Sequence, residues 1–238
     1  MTAATPALPA SALRGLFVTG TDTGVGKTRV AAALLRALGC AGYRAVGMKP
    51  VAAGFEPGTT TNGDVLALAA ASNVDAPARD RNPYAFAASV APHLAAAMSD
   101  VRIELAEIVA ACTRLHALAD VIIVEGAGGA LVPIDDRRDM LDVAAALDLP
   151  VLLVVGMRLG CLNHALLTAL AMQRRALALR GWIAHCLPPS MPLAQRNIAA
   201  LAERLGMAPV AIVAADASPR FDAAALATLG FAGAGRSA

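Results

Sequence analysis

The stretch GTDTGVGKT, from Gly20 to Thr28, decides the fold of this chain. It lies between the apolar run LFVT and an alanine-rich segment with the composition of a helix. A glycine-rich turn between a buried strand and a helix exposes backbone N–H groups at the positive helix end, where phosphate oxygens bind. Lys27 adds a mobile positive charge, and the hydroxyl of Thr28 is placed to bind Mg²⁺. We therefore expect a nucleoside triphosphate to be held by Gly24, Val25, Gly26, Lys27, Thr28 and Arg29.

The spacing within this P-loop is a variant of the usual one. Five residues separate Gly20 from Gly26, whereas four is usual before the Gly-Lys-Thr sequence. A tight turn that binds nothing is the alternative, although the strand before the loop and the helix after it favour a phosphate site. The loop alone leaves open whether the nucleotide drives chemistry or conformational switching.

Alternating apolar runs and helical stretches predict the fold class. The runs are continuous rather than alternating, as in strands buried on both faces of a parallel sheet, and they span 16–20, 44–50, 121–126, 150–156, 181–187 and 209–214. Helices are predicted at 28–38, 103–118, 140–147, 163–179, with Asn163 as N-cap, and 193–205. The loop-like stretches 51–63 and 75–93 break this rhythm. We expect one α/β, P-loop NTPase-like domain over 1–238, with a mostly parallel sheet flanked by helices and frayed ends at about 1–12 and 229–238.

Composition excludes several kinds of partner. The net charge of +2 is too small and too scattered for the one-sided basic field that nucleic acid or anionic lipid requires, so neither partner is expected. The first fifteen residues lack a basic start followed by a continuous apolar core, which predicts a cytoplasmic protein. The four cysteines show no C-x-x-C spacing and are expected to be reduced, small buried side chains.

Three charged residues follow predicted strands or loops at the edge where the P-loop lies. Glu125 ends the apolar strand VIIVE, and Lys49 ends RAVGMK, so both should lie at the carboxyl edge of the sheet where ligands bind. Lys27 and Lys49 are the only lysines among the twenty basic residues, which suggests sites that require a compact ammonium. Asp64 follows a threonine-rich loop and is either a helix N-cap or a further carboxylate near Mg²⁺. A solvated loop position is the alternative for Glu125.

Six motifs in order carry a resemblance to a known family: GTDTGVGKT, MKPVAAG, NGDVLALA, NPYAFAASVAPH, VEGAGG and VVGMRLGCLNHALLT. Together they closely resemble the dethiobiotin synthetases, over roughly Leu16 to Trp182. The resemblance implies a homodimeric ligase of biotin synthesis that uses ATP and Mg²⁺. In that reaction 7,8-diaminononanoate takes up CO₂, available from bicarbonate, as a carbamate. ATP then phosphorylates the carbamate, and the second amine displaces phosphate to close the cyclic urea of dethiobiotin.

The same resemblance implies roles for individual residues. Lys27 would contact the β- and γ-phosphates, while Lys49 and Thr23 would face the carbamate, which makes these three the predicted catalytic residues. The expected Mg²⁺ ligands are Thr28, Asp64 and Glu125. The remaining predicted nucleotide contacts are Gly126, Ala127, Gly128 and His185. The substrate carboxylate would bind the free N–H groups of a helix start contributed across the dimer, at Gly160, Cys161, Leu162 and Asn163.

The chain departs from the family pattern at two sites that touch ligands. Ala53 occupies the place where the family usually has serine after KPVA, so one hydroxyl contact with the substrate is missing. His185 stands where the family commonly has an asparagine that reads the adenine edge, and the later segment AIVAAD also differs. A neutral imidazole cannot reproduce the paired donor and acceptor of an amide. We therefore expect a relaxed nucleotide preference, with other nucleoside triphosphates accepted.

Two related classes of P-loop protein are the alternatives. Partition and septum-placement ATPases share the fold, but they carry a characteristic lysine where Asp22 stands here. Cobyrinate-type amidotransferases have a related domain followed by a glutaminase, for which a chain of 238 residues is expected to be too short. Both alternatives fit the residues less well than a small-molecule ligase.

Overall fold

A six-stranded parallel sheet organises the residues that this computed structural model describes, 13–215 and 217–231. In chain order the strands are β1 Gly15–Gly20, β2 Ala45–Met48, β3 Val51–Ala53, β4 Tyr84–Phe86, β5 Val121–Glu125, β6 Val151–Met157, β7 Leu179–Cys186 and β8 Ala211–Val213. The large sheet has the order β2-β5-β1-β6-β7-β8, and β3 and β4 form a small parallel sheet of their own. All six strands expected from the sequence are therefore confirmed, as is their parallel arrangement.

Helices cover both faces of the large sheet. They are α1 Lys27–Cys40, α2 Gly63–Ala71, α3 Ala78–Arg81, α4 Pro92–Met98, α5 Leu105–Leu118, α6 Met140–Ala146, α7 Cys161–Arg174, α8 Ala194–Leu205 and α9 Ala223–Thr228. Across the described residues, no helix is both long and apolar enough to cross a membrane.

Continuous apolar strands arise because both faces of the sheet are buried. On β1, Leu16 and Val18 pack into one core with α1, whereas Phe17 points into the opposite core together with Trp182 of β7. Trp182 has no exposed surface, and its indole N–H donates to the carbonyl of Met207 at 3.0 Å. Because the two cores share one sheet, the described residues form a single α/β domain.

The helix starts differ from the prediction at two functional positions. Helix α7 begins at Cys161, after Gly160 in a left-handed conformation with φ 96°, so Asn163 is not its N-cap. The helix also ends at Arg174, and Leu179, predicted to be helical, begins β7. The N-cap of α2 is Asn62, whose side chain accepts from the N–H of Asp64 at 2.9 Å. Asp64 is therefore not a cap, and its carboxylate is left for another role.

Other differences concern short elements and the chain ends. Strands β3 and β4 and helices α3 and α4 lie in the two stretches that looked irregular, and each is too short to give a periodic pattern. Cys40 is exposed, which corrects the expectation that every cysteine is buried. Leu229 and Phe231 are buried in the core beside α1, whereas the expected frayed segments 1–12 and 232–238 lie outside the described residues.

Candidate nucleotide and metal site

The P-loop joins the end of β1 to the start of α1 at the carboxyl edge of the sheet. Gly26 directly precedes α1 and has φ 93°, a conformation that glycine adopts without steric cost. A Cβ on Gly26 would overlap the ring of His185, so the backbone approaches this ring as closely as it can. The predicted phosphate contacts Gly24 to Arg29 thus lie together at one helix start.

Lys27 lies beneath the loop rather than in solvent. Its side chain is buried, and its ammonium donates to the carbonyl of Asp22 at 2.9 Å. Burial lowers the pKa of Lys27 to about 8, with nearby Lys49 acting in the same direction and Glu125 and Asp64 opposing it. A phosphate anion beside this lysine would favour its charged form and so raise its pKa again.

Two carboxylates converge on the hydroxyl of Thr28, as the sequence predicted for a cation site. The hydroxyl oxygen lies 2.7 Å from Oδ1 of Asp64 and 2.9 Å from Oε1 of Glu125, so two carboxylate oxygens face the single proton that this hydroxyl can donate. Glu125 is only 1% exposed, and its second oxygen, Oε2, has no hydrogen-bond partner. Leaving a carboxylate oxygen buried and unpaired is costly, so Oε2 of Glu125 is suited to contact a cation or a hydrogen-bond donor.

The side chains of Thr28, Asp64 and Glu125 fit a Mg²⁺ ion that is bound together with a nucleotide. Across the described residues, no cluster of three or more His, Cys, Asp or Glu forms a metal cage. Mg²⁺ commonly takes one or two carboxylates and completes its octahedron with substrate phosphates and water, and a P-loop hydroxyl is a usual additional ligand. The free Oε2 of Glu125, Asp64 and the Thr28 hydroxyl match that donor set.

Lys49 joins the same cluster from the end of β2. Its ammonium donates to Oε1 of Glu125 at 2.6 Å and to Oδ2 of Asp64 at 2.7 Å. Burial alone would lower the pKa of Lys49, but the two carboxylates raise it above its ordinary value. Burial would likewise raise the pKa of Asp64, but Lys49 and then Thr28 hold it below its usual range. The cluster is thus an ionised network with its positive charge on Lys49.

The GAGG loop after β5 packs against the P-loop. A Cβ on Gly128 would lie 3.5 Å from the hydroxyl of Thr23, and one on Gly129 would lie 3.6 Å from the Gly20 carbonyl. The backbone N–H of Ala127 contacts the sulfur of Met140 at 3.3 Å. The structure therefore brings Gly128 beside Thr23, and the nucleotide contacts of Gly126, Ala127 and Gly128 stay predictions.

The segment before α7 is tied to the P-loop by an ion pair that sequence reasoning missed. The guanidinium of Arg158 pairs with the carboxylate of Asp22, which also accepts from the N–H of Thr23 at 2.7 Å. The N–H of Cys161 donates to the carbonyl of Arg158 at 3.0 Å, so it is not among the free groups predicted at Gly160 to Asn163. The arginine in MRLG, three residues before a helix start, was the only available indication of this contact.

His185 lies under the P-loop with both ring nitrogens engaged by the protein. Nδ1 is 2.7 Å from the carbonyl of Val25, and Nε2 is 3.4 Å from Nη1 of Arg29. A carbonyl can only accept and a guanidinium can only donate, so the ring is neutral with its proton on Nδ1. His185 is 2% exposed. The loss of adenine reading at this position stays a prediction.

Ala53 lies at the end of β3, beside the loop that leads to α2. Its carbonyl accepts from the side-chain amide of Asn62 at 3.2 Å, and the same amide donates to Gly54 at 2.7 Å. Asn62 therefore anchors both this strand end and the start of α2, next to Asp64. Sequence reasoning missed Asn62, although its position before a helical run was a capping pattern.

Comparisons with known proteins agree with this geometry. A family model described as "AAA domain" matches residues 14–218. The chain is 52% identical over 192 residues to the ATP-dependent dethiobiotin synthetase of Nitrosospira multiformis, covering 81% of this chain and 84% of that protein. It is 53% identical over 195 residues to the enzyme of the same name from Aromatoleum aromaticum, covering 81% and 86%.

Two solved structures resemble the fold at low sequence identity. The septum site-determining protein MinD of Pyrococcus horikoshii, complexed with Mg-ADP, has a TM-score of 0.54 at 16% identity and covers 86% of this chain and 82% of its own. A ParA family ATPase of Chlorobium tepidum has a TM-score of 0.54 at 14% identity, with coverage of 87% and 86%. These likenesses establish the P-loop NTPase fold alone. The sequence relatives go further, and the chain belongs to the ATP-dependent dethiobiotin synthetase family.

Proposed function

We propose that this chain catalyses the ATP-dependent carboxylation and ring closure of 7,8-diaminononanoate. The products are dethiobiotin, ADP and phosphate, and the reaction passes through a carbamate and a carbamic–phosphoric anhydride. One observation carries the proposal: Asp64 and Glu125 both contact the P-loop hydroxyl of Thr28, and both accept from the ammonium of Lys49. This is the charge arrangement needed where one anion must attack another.

The first task of the site is to hold the triphosphate. The N–H groups at the start of α1 face the phosphates, and the buried ammonium of Lys27 leaves the Asp22 carbonyl to contact the β- and γ-phosphates. Mg²⁺, when bound by Thr28, Asp64 and Glu125, would offset the negative charge between these phosphates. The residues thereby fix the γ-phosphate at the edge of the sheet next to Lys49.

The second task is to bring the carbamate oxygen to that phosphate. One substrate amine forms an N–C bond to CO₂ and loses a proton, and the resulting carbamate oxygen attacks the γ-phosphorus while ADP leaves. Lys49 extends from β2 to this point on a flexible stem, so its ammonium can follow the charge from carbamate to phosphoryl oxygen. Thr23, exposed beside Gly128, lies on the same side of the P-loop and can donate to the carbamate.

Ring closure then requires positioning rather than further activation. The second amine attacks the carbonyl carbon of the anhydride and loses a proton, the C–O bond to phosphate breaks, and phosphate leaves with that proton as the cyclic urea forms. Both amines belong to one molecule, so a fixed substrate makes this step effectively intramolecular. The N–H groups at the start of α7 other than that of Cys161 are the proposed anchor for the substrate carboxylate, close to the Asp22–Arg158 pair.

We also propose a homodimer that acts in the cytoplasm. Leu167 and Leu170, about half exposed at 55% and 48%, lie one turn apart on α7, and Leu159 beside the helix start is 93% exposed. Such an apolar face next to the proposed carboxylate anchor favours a second copy as its partner. The four cysteines show neither C-x-x-C spacing nor the density of a secreted scaffold, which supports a reducing compartment. Light scattering at micromolar concentration tests the dimer.

The proposed reaction is tested by measuring phosphate and dethiobiotin together. Purified protein receives MgATP and bicarbonate, with and without 7,8-diaminononanoate, and product is identified by mass spectrometry. Phosphate should appear in equal amount with dethiobiotin and only when the diamine is present. Phosphate release that is indifferent to the diamine would point to a switch ATPase and contradict the proposal.

A further inference from the structure

We propose that His185 and Arg29 act as one positioning unit for the nucleotide, by connecting the P-loop to the chain that follows β8. The effect of this unit on turnover rests on the function proposed above. Its effect on nucleotide binding does not. It concerns the side of the P-loop away from Lys49. Neither residue needs to touch the reacting atoms for this role.

The order of strands places this unit on the nucleoside side of the loop. Glu125 and Lys49 end strands β5 and β2, on one side of β1, whereas His185 lies on β7 beyond β6, on the other side. A triphosphate whose γ-phosphate points toward Lys49 must direct its nucleoside the other way. The nucleoside therefore extends over β6, β7 and β8, the side on which His185 lies and to which the guanidinium of Arg29 extends from α1.

His185 supports the P-loop from below through a single bond and close packing. Its Nδ1–H donates to the Val25 carbonyl at 2.7 Å, and its ring fills the space that a side chain on Gly26 would need. Val25 and Gly26 are the residues whose N–H groups precede Lys27 in the phosphate-binding turn. Fixing the Val25 carbonyl therefore orients the peptide group that presents the N–H of Gly26.

Arg29 extends the same connection to the chain after β8. From the first turn of α1 its guanidinium contacts Nε2 of His185, and it donates to the carbonyls of Ala215 at 3.3 Å and Ala217 at 2.6 Å. Arg29 thus links the ring of His185 to the backbone after β8 through three contacts.

This arrangement predicts an effect on affinity that is independent of the base. Both nitrogens of His185 are occupied within the protein, so its ring can change the shape of the phosphate turn but offers nothing to a base edge. Weakening the unit should therefore reduce the affinity for ATP and CTP by the same factor. A residue that read the base would change the ratio of the two affinities instead.

The test is a double-mutant cycle on nucleotide binding, measured by titration calorimetry with Mg²⁺ and without the diamine. The variants are Arg29→Met, His185→Leu and the double variant, with Arg36→Met as a control for an exposed arginine further along α1. Each single variant should raise Kd about tenfold for ATP and for CTP alike, while the control stays within about twofold. The double variant should be no weaker than the weaker single variant, because either change breaks the whole connection.

A conservative variant separates this role from a merely structural one. In His185→Asn the amide nitrogen takes the place of Nδ1 and keeps the bond to Val25, but it does not reach Arg29. Because the bond to Val25 alone does not connect the loop to the chain after β8, its Kd for ATP should match that of Arg29→Met, and any loss of turnover should appear in KM for ATP rather than in kcat. Circular dichroism identifies any variant that has unfolded, and the remaining variants still test the connection.

Three outcomes would overturn the proposal. In the first, the Kd of the double variant rises by the product of the two single-variant increases. In the second, a variant changes the ratio of ATP to CTP affinity by more than about threefold. In the third, the loss of activity appears in kcat rather than in KM for ATP. Wild-type protein that binds nucleotide but forms no dethiobiotin would instead contradict the proposed function and leave this connection intact.

Discussion

The two sides of the P-loop are built from different chemistry. On the β5 and β2 side, Lys49, Asp64 and Glu125 form an ionised network around the hydroxyl of Thr28. On the β7 and β8 side, the neutral ring of His185 and backbone carbonyls hold the loop. Charges that must change partners during a reaction are kept on one side, and bonds that must persist are kept on the other. The proposed mechanism thus places catalysis on one side of the loop and nucleotide positioning on the other.

Lys49→Met should have the largest effect on activity. A small effect would contradict the division of the P-loop into two sides with different roles. Removing the ammonium that contacts both Asp64 and Glu125 should lower kcat/KM for dethiobiotin formation about 1000-fold, because transition-state charge near the carbamate is no longer offset. Nucleotide Kd should change less than about threefold. Steady-state kinetics and calorimetry give the two numbers, and Lys49→Arg serves as a charge-preserving control. A large loss of nucleotide affinity would place Lys49 among the binding residues instead.

Glu125→Gln should have the next largest effect and concerns the metal. The substitution keeps the shape of the side chain but removes its negative charge. Activity should therefore fall about 100-fold, and the Mg²⁺ concentration that gives half-maximal activity should rise. Binding of Mn²⁺ in the presence of ATP, followed by electron paramagnetic resonance, is a readout besides activity and should weaken in parallel. Unchanged Mn²⁺ affinity would remove Glu125 from the ligand set.

The β7 and β8 side of the P-loop predicts a smaller effect, on the preference for one nucleotide base over another. With His185 engaged internally, kcat/KM for ATP should exceed that for CTP or GTP by no more than about tenfold, since one polar contact is worth about that factor. Initial rates of dethiobiotin formation at low concentrations of each nucleotide provide the comparison. Strict dependence on ATP would mean that other groups on this side read adenine.

Much of this comparison could be predicted from the sequence, because the half of the site on the β5 and β2 side depends on local patterns. The strand ends at Lys49 and Glu125 and the P-loop glycines placed these groups at one edge. Asp64 was predicted to lie near them, but the cap beside it is Asn62. The buried strands were equally clear from their apolar runs.

The other half could not be predicted, because it depends on contacts between distant segments. The bond from His185 to Val25 joins residues 160 positions apart, and the pair Asp22 and Arg158 joins residues 136 positions apart. Neither strand periodicity nor a motif specifies which way a histidine or an arginine side chain points. Strands β3 and β4, three residues each, likewise exist only because they pair with one another.

The smallest predicted effect lies away from both sides, at His116 on α5. Burial, and then the charge of Arg14, lowers the pKa of His116 to about 4, and its Nδ1 has no partner. The folded ring stays neutral while the unfolded chain, with a pKa near 6.5, takes up a proton. Stability is therefore lost as pH falls from about 6.5 toward 4, by about 1 kcal/mol for a half-buried ring.

His116→Gln should remove that part of the acid sensitivity. Urea unfolding at pH 7 and pH 4.5 should give a smaller difference in unfolding free energy for the variant than for wild type, by about 1 kcal/mol. The variant should leave kcat/KM unchanged within about twofold at pH 7. An identical pH dependence in both proteins would assign the acid sensitivity to other groups.

Trp182 gives the protein a built-in optical reporter. It is the only tryptophan in the chain, and it lies fully buried on β7, three residues before His185. Its fluorescence therefore comes from a single apolar environment, and its emission should move to longer wavelength when the sheet unfolds and water reaches the indole. Every variant described above keeps this indole, so their unfolding can be followed by one intrinsic signal without a label.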